Sequence, residues 1–218
     1  MKLPEKISPL LAEEIGLHLG DGSMNIYKGR AFYTVACHWR DDRAYMDDFI
    51  LPLIKKIYGK TPKPRNWSKG SYGFRICSKE IIKFKSEVLD LPLGKKINAR
   101  IPEQILCNDS LMIAFIRGLY DTDGSLTLWK TNNKLYPRIF FLNIAKDMVE
   151  QVKMFLLKKG FKVTEWKTEY KEKNWNTAYK LSINGEKMLK KWVEEIGFRN
   201  PKNIQKLKLF DLNTKFYK

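Results

Sequence analysis

Glu14-Ile15-Gly16-Leu17-His18-Leu19-Gly20-Asp21-Gly22-Ser23 returns, in register, as Ile116-Arg117-Gly118-Leu119-Tyr120-Asp121-Thr122-Asp123-Gly124-Ser125. Gly22 and Gly124 stand 102 residues apart, close to half of a 218-residue chain. In each copy a helical run ends in an acidic residue followed by Gly-Ser. Small residues recur every fourth position before it: Ala12, Gly16 and Gly20 in the first copy, Ala114, Gly118 and Thr122 in the second. Spacing four places each set on one stripe of a helix. Such stripes let two helix backbones approach more closely than Leu or Phe would permit. These six residues are therefore the expected helix–helix interface, with the helices crossing near a pseudo-two-fold axis. Asp21 and Asp123 then meet at the C-terminal ends of the pair.

Two carboxylates in that position repel one another, and helix C-termini already carry partial negative charge. A divalent cation resolves the conflict, because hard oxygen ligands suit Mg²⁺, which keeps several waters and binds phosphate oxygens. One Asp-Gly alone would read as an ordinary turn. Two copies, each behind a small-residue stripe, point to paired half-sites.

Outward from the repeat, each half shows one order of elements: helix, two strands, helix, two strands, helix. In the first half the pattern predicts helices over Pro9–Asp21, Asp41–Lys56 and Lys79–Leu89, and strands over Ser23–Tyr27, Ala31–Trp39, Lys63–Ser68 and Tyr72–Ser78. The apolar side of the second helix reads as Ala44, Phe49, Leu53, Ile54 and Ile57. In the second half the predicted helices are Ser110–Asp123, Lys146–Lys159 and Gly185–Ile196. Its strands are Leu126–Lys130, Arg138–Ile144, Val163–Tyr170 and Ala178–Ile183, the last two around a polar turn at Glu172-Lys173-Asn174. The expected fold is α+β: two αββαββα repeats, residues 1–97 and 98–218, with a basic tail forming a last helix against the body.

Lys and Arg number 41 against 24 Asp and Glu, a formal net charge of +17. A field of that sign attracts polyanions. With 13% aromatics interleaved along the whole chain, it points to nucleic acid, and an anionic membrane surface is the weaker alternative. No apolar run is long enough to span a bilayer, and the first residues do not begin a signal peptide. Cys37, Cys77 and Cys107 are an odd number without CxxC spacing. A disulfide framework or zinc site is not expected, and an intracellular, reducing compartment is.

Glu14–Gly22 and Ile116–Gly124 resemble, without gaps, the nine-residue motif of LAGLIDADG homing endonucleases. Gly16, Leu17, Asp21 and Gly22 match in the first copy, and Gly118, Leu119, Asp121, Asp123 and Gly124 in the second. The first copy departs at Glu14, His18, Leu19 and Gly20; Leu19 stands where the motif has an acid other than the catalytic one. The resemblance implies a monomeric, double-motif, metal-dependent endodeoxyribonuclease of intron-homing type, cutting both strands of a long double-stranded DNA site. It implies Mg²⁺ or Mn²⁺ held by Asp21 and Asp123, with the neighbouring Gly20 and Thr122 completing the ligand set. Its two sheets would form a saddle along the duplex. A non-cleaving member of the same fold, an RNA intron maturase or a DNA-binding regulator, is the alternative, with intron RNA as its partner.

The resemblance also implies a lysine near each metal centre, and Lys95, Lys96 and Lys202 occupy such places after the third helix of each half. Such a lysine stabilises charge on the reacting phosphate. His38 and Asn143, near the ends of corresponding strands, are candidates to face the centres, whereas His18 reads as a packed residue. Expected DNA contacts in the first half are Asn25, Tyr27, Lys28, Arg30, Lys63, Arg65, Trp67 and Arg75. In the second they are Trp129, Lys130, Arg138, Lys167, Lys171 and Lys180. Which face of each strand meets DNA stays open, because a register change of one residue reverses it. The Asp121-Thr122-Asp123-Gly124-Ser125 run also resembles a haloacid-dehalogenase nucleophile loop. That chemistry needs a buried parallel strand, which the pattern does not supply, and Leu19 replaces the nucleophile in the other copy.

Overall fold

The computed structural model of the chain describes residues 2–132, 134–170 and 176–214, the last three of these by backbone alone. Ser8 opens helix α1 (Pro9–Asp21) by accepting the Leu11 N–H at 3.3 Å, with Pro9 in the first turn, where a missing N–H costs nothing. Strands β1 (Gly22–Tyr27) and β2 (Arg30–His38) follow, joined by Lys28-Gly29, both at positive φ as a two-residue hairpin turn requires. The next helix, α2, runs through Arg43–Tyr45, a π turn at Met46–Ile50, and Leu51–Tyr58. Then come β3 (Arg65–Ser68), β4 (Ser71–Cys77) and α3, built from Lys79–Lys83 and a π turn over Phe84–Val88.

A connector bearing the short helix α4 (Glu103–Leu106) leads to the second repeat. This comprises α5 (Asp109–Thr122), β5 (Gly124–Thr131), β6 (Lys134–Asn143), α6 (Lys146–Lys158), β7 (Val163–Thr168), β8 (Ala178–Asn184) and α7 (Glu186–Glu195). Asn108 caps α5 as Ser8 caps α1, accepting the Leu111 N–H at 3.1 Å. The sheets have matching antiparallel orders, β1-β2-β4-β3 and β5-β6-β8-β7. Helices cover one face of each sheet; the other is open. The tail forms α8 (Pro201–Thr214), which inserts Phe210 into the core. Among the described residues no helix is long and apolar enough to cross a membrane.

The α+β double repeat expected from sequence is the observed fold. One difference lies in α2, where Tyr45, Met46, Ile50, Leu53, Ile54 and Tyr58 are the buried positions, while Ala44 is exposed and Phe49 and Ile57 are half-buried. The π turn adds a residue to the helix and rotates its buried stripe, which a uniform 3.6-residue period does not anticipate. The polar turn at 172–174 lies outside the described residues.

The two repeats solve one packing problem differently. In the first, Glu14 and Lys85 are both fully buried and pair at 2.7 Å. The Tyr33 hydroxyl donates to Glu14 Oε1 at 2.5 Å and the Tyr58 hydroxyl to Oε2 at 3.3 Å. In the second repeat Ile116 takes the place of Glu14. Trp192, the seventh residue of its helix as Lys85 is of the first-repeat one, fills the core against Tyr120 and Phe161. Removing one member of a buried pair leaves an uncompensated charge. Lys85→Met should therefore lower stability by about 3–5 kcal/mol, and adding Glu14→Ile should recover part of the loss, the remainder reflecting the Tyr33 and Tyr58 hydroxyls left without their acceptor. Urea unfolding checks this; a double variant no more stable than the single would refute it.

Candidate active site and nucleic-acid interface

The motif helices α1 and α5 touch backbone to backbone. A Cβ on Gly16 would lie 2.0 Å from the Phe115 carbonyl oxygen, and one on Gly118 would lie 2.1 Å from that of Glu13. The two contacts are the same contact read in opposite directions, since Phe115 and Glu13 are equivalent positions. Ala12 and Ala114 are buried in the same seam. At its C-terminal end Gly20 faces Thr122, whose Oγ1 would lie 2.0 Å from an added Cβ. The six small residues thus bring the ends of the helices, and with them Asp21 and Asp123, into one pocket of charge.

The electrostatics are those of two crowded acids. Burial pushes the Asp21 carboxyl up to about 7, with further pressure from Asp123 and Asp42 against the pull of Lys202 and Lys96. Asp123 is raised to about 6, again chiefly by burial, opposed by Lys96, by a hydrogen bond from Asn143 Nδ2 at 2.6 Å, and by Lys202. The Asn143 Oδ1 in turn accepts the Ala145 N–H at 2.8 Å, which fixes the orientation of the amide. Two hard-oxygen donors in a desolvated setting suit a divalent cation that completes its shell with water and phosphate. Among the described residues no three His, Cys, Asp or Glu side chains converge as a ready-made ligand set.

The linkage has a definite sign. Asp21 and Asp123 retain protons in the folded chain at pH values where the unfolded chain has released them. They therefore make the metal-free fold less stable as pH rises from about 4 through about 7. In EDTA, wild type should lose more Tm than the Asp21→Asn/Asp123→Asn variant between about pH 5.5 and about pH 8, and Mg²⁺ should abolish that extra loss. Parallel Tm-versus-pH curves for the two proteins would disprove it.

The lysines divide sharply. Lys96 Nζ donates to the carbonyl oxygens of His18 (3.2 Å), Leu19 (2.8 Å), Gly20 and Gly22 (3.0 Å), closing the end of α1 with positive charge. Lys202, on α8, bonds Asp42 Oδ1 of the first repeat at 2.7 Å. Lys95 is exposed to solvent. The Gly20 carbonyl, expected as a metal ligand, is thus engaged by an ammonium that would compete with a cation. The Thr122 hydroxyl is bonded back to Gly118 O (3.1 Å) and Leu119 O (2.9 Å). Both residues lie in the helix seam facing each other, and their polar atoms are already hydrogen-bonded within the protein. His38 is bonded to Asp41 at 3.1 Å, and His18 is fully buried against Tyr33, its pKa lowered by burial and by Lys85 and Lys96.

Three polar residues escaped the sequence reading. Asn200 donates to Asp42 Oδ1 (2.7 Å) and to the Asp121 carbonyl (3.0 Å); Asn203 donates to Asp121 Oδ1 (3.1 Å) and accepts the Leu126 N–H (3.0 Å). Asp121, itself raised to about 7 by burial, also accepts the Arg199 N–H at 2.6 Å. Its carboxylate anchors the tail, which explains why the first repeat, with no such tail to hold, has Leu19 there. Asp42 occurs once, in no repeat, and had no signal beyond its charge.

Strand register settles which side chains share a face. On the first sheet Asn25, Tyr27, Arg30, Arg65, Trp67 and Arg75 all lie on the open face, with Lys28 in the turn of the hairpin and Lys63 exposed just ahead of β3. Arg65 and Arg75 stack on Trp67, each 4.4 Å from the ring centre, and Arg75 Nε bonds Thr34 Oγ1 at 3.2 Å. On the second sheet Trp129, Arg138 and Lys180 lie on the open face. Lys130 and Lys167 do not: Lys167 pairs with Tyr179, in the helix-side register of Leu181, and Lys130 alternates with Trp129. Trp166, one residue before Lys167, takes the open-face place. Sequence alternation fixes a strand's two faces but not which is inner, and at this edge strand the apolar residues Val163 and Trp166 lie on opposite faces. Lys171 lies outside the described residues.

Residues 110–197 match a family model described as a LAGLIDADG-like domain. Among curated proteins the chain is 25% identical over 197 residues to a replication factor C small subunit of Methanocaldococcus jannaschii, covering 90% of this chain but 10% of that protein. It is 28% identical over 172 residues to an uncharacterized protein of the same archaeon, covering 77% of this chain and 59% of the relative. The chain thus spans about a tenth and about three-fifths of these relatives. Among solved structures, I-DmoI in complex with DNA and Mn aligns at a TM-score of 0.62 and 21% identity, over 88% of this chain and 98% of that one. The LAGLIDADG meganuclease I-AabMI bound to uncleaved DNA aligns at 0.60 and 14% identity, over 96% and 92%. The likeness extends to the whole double repeat.

Proposed function

We propose that this chain, a double-motif LAGLIDADG protein in sequence and fold, is a monomeric, metal-dependent, site-specific endonuclease that cuts both strands of a long double-stranded DNA site. Residues 1–97 and 98–218 would form its two half-sites. The observation that carries the reading is the meeting of Asp21 and Asp123 at the ends of two helices in backbone contact, each acid next to a sheet with an open, basic face. Asp21 and Asp123 would hold Mg²⁺ or Mn²⁺. A bound cation supplies Lewis acidity at the phosphoryl oxygens and a more acidic water.

The chain's own residues supply the rest. Asn143 orients the Asp123 carboxylate. Lys202, held between the repeats by Asp42, brings positive charge to the negative charge that develops on the phosphoryl group. Lys96 neutralises the carbonyl end of α1, so that Asp21 presents its carboxylate without added helix-end repulsion. The open sheet faces bind the duplex, with strand alternation aiming side chains into the major groove. With roughly 6–10 phosphates contacted, affinity should fall about 10³–10⁵-fold from low to moderate salt.

The test is cleavage of a plasmid library of randomised sites with Mg²⁺. Discrete double-strand cuts at one long sequence are expected. Tight, specific binding without any cutting would transfer the fold to a maturase or regulator role.

A further inference from the structure

The two open sheet faces can be compared residue by residue, because their registers correspond. Tyr27↔Arg30 matches Trp129↔Tyr136, and Asn25↔Phe32 matches Thr127↔Arg138. Thr34↔Arg75 matches Phe140↔Ser182, and Arg65↔Gly73 matches Trp166↔Lys180. At three equivalent places the first sheet carries arginine where the second carries an aromatic or a small hydroxyl: Arg30 for Tyr136, Arg65 for Trp166, Arg75 for Ser182. The exchange runs the other way once, Phe32 for Arg138.

The arginines are set up for a particular chemistry. Arg75 has its plane stacked on Trp67 and Phe32 and its Nε committed to Thr34, which leaves the two terminal nitrogens as a free fork. Arg65 lies over the same indole, 4.4 Å from the Trp67 ring centre. Arg138 repeats the device singly, stacked on Trp129 at 5.0 Å with Nε bonded to Asn184 Oδ1 at 2.9 Å. A held guanidinium fork matches the O6 and N7 acceptors of guanine in the major groove, whereas apolar side chains favour the thymine methyl group.

Resting on the proposed duplex-binding function, we infer that the two halves of the target are chemically unlike. The half facing the first sheet is guanine-rich, read by Arg30, Arg65 and Arg75. The half facing the second is thymine-rich, with one guanine read by Arg138 and a weaker guanine preference at Lys180, which lacks a held fork. The fork stacked on Trp67 discriminates by its two terminal nitrogens, so methionine in its place keeps much of the bulk but, having no donor, loses the guanine preference.

Selection of bound duplexes from a randomised library by the full chain in Ca²⁺, with wild type, Arg75→Met and Arg138→Met, tests this. The expected result is an asymmetric consensus. Arg75→Met should erase guanine preference, by roughly 5- to 150-fold, at one position of the guanine-rich half only, and Arg138→Met at one position of the other half. A specific consensus with guanine shared evenly, or variants that relax the wrong half, would overturn the inference while leaving duplex recognition standing. Absence of any sequence-specific duplex binding would overturn the function on which it rests, and the inference with it.

Discussion

Asp21→Asn and Asp123→Asn should each leave the duplex bound and abolish double-strand cutting, with strand cleavage falling by about 10²–10³-fold or more. The substitution keeps the size of the side chain and one oxygen acceptor but removes the charge that would hold a cation. Asn143 would still hydrogen-bond position 123, so the local geometry should survive. Each single variant should give at most nicked circles, and the double variant neither nicked nor linear product. A supercoiled plasmid bearing the selected site distinguishes these outcomes on one gel. Linear product from either single variant at the wild-type rate would remove that acid from the mechanism. Duplex affinity in Ca²⁺ should change far less than the cleavage rate, because the arginines of the open faces lie on other elements.

Gly16→Ala and Gly118→Ala should be among the most damaging single methyl additions in the chain. The added carbon would sit 2.0 Å or 2.1 Å from a carbonyl oxygen of the partner helix, and the obstacle is backbone that cannot rotate away. Overpacking a well-filled interior typically costs 1–3 kcal/mol, and these sites belong at about 3 kcal/mol or above. Gly20→Ala offers an internal comparison: there the nearest obstruction, the Thr122 hydroxyl, can change rotamer, and only the Thr122 Cβ at 2.8 Å must shift with its backbone. Urea unfolding should therefore rank Gly16→Ala and Gly118→Ala as more destabilising than Gly20→Ala. Equal losses at the three sites would mean that the helices separate easily, contrary to the geometry. Cleavage should fall with the first two even where the fold persists, since separating the helices moves Asp21 from Asp123.

What could be read in advance follows from what repeats. The motif helices, the seam of small residues and the paired acids occur twice at fixed spacing, and duplication lifted each signal above the background of common Asp-Gly turns. Alternation showed the strands but left open which face was outer; on the first sheet the strand residues named as DNA contacts share one face, the one that helices leave uncovered. Lys167 shows where that logic ends: on the edge strand the two apolar residues disagree, Val163 lying on the inner side with Lys167 and the larger Trp166 holding the outward place. Asp42, Asn200 and Asn203 carry no local pattern, since their partners lie 77 to 158 positions away in sequence. The buried Glu14–Lys85 pair was hidden for a related reason: its halves are charged residues that sequence reading assigns to solvent.

Glu13, only 1% exposed, receives Arg117 at 2.9 and 3.0 Å across the motif seam and is approached by Arg199 at 3.4 Å. The equivalents of Glu13 and Arg117 are Phe115 and Ile15, so this ionic handshake exists in one sense only. Two copies of the first half, brought together seam to seam, would confront Glu13 with Ile15 and strand a carboxylate in an apolar joint. Two copies of the second would leave Arg117 facing Phe115. Either mismatch buries an unpaired charge, a penalty of the kind that enforces partner choice. The descendants of a duplicated unit have thereby become mutually exclusive complements, each unable to mate with its own likeness.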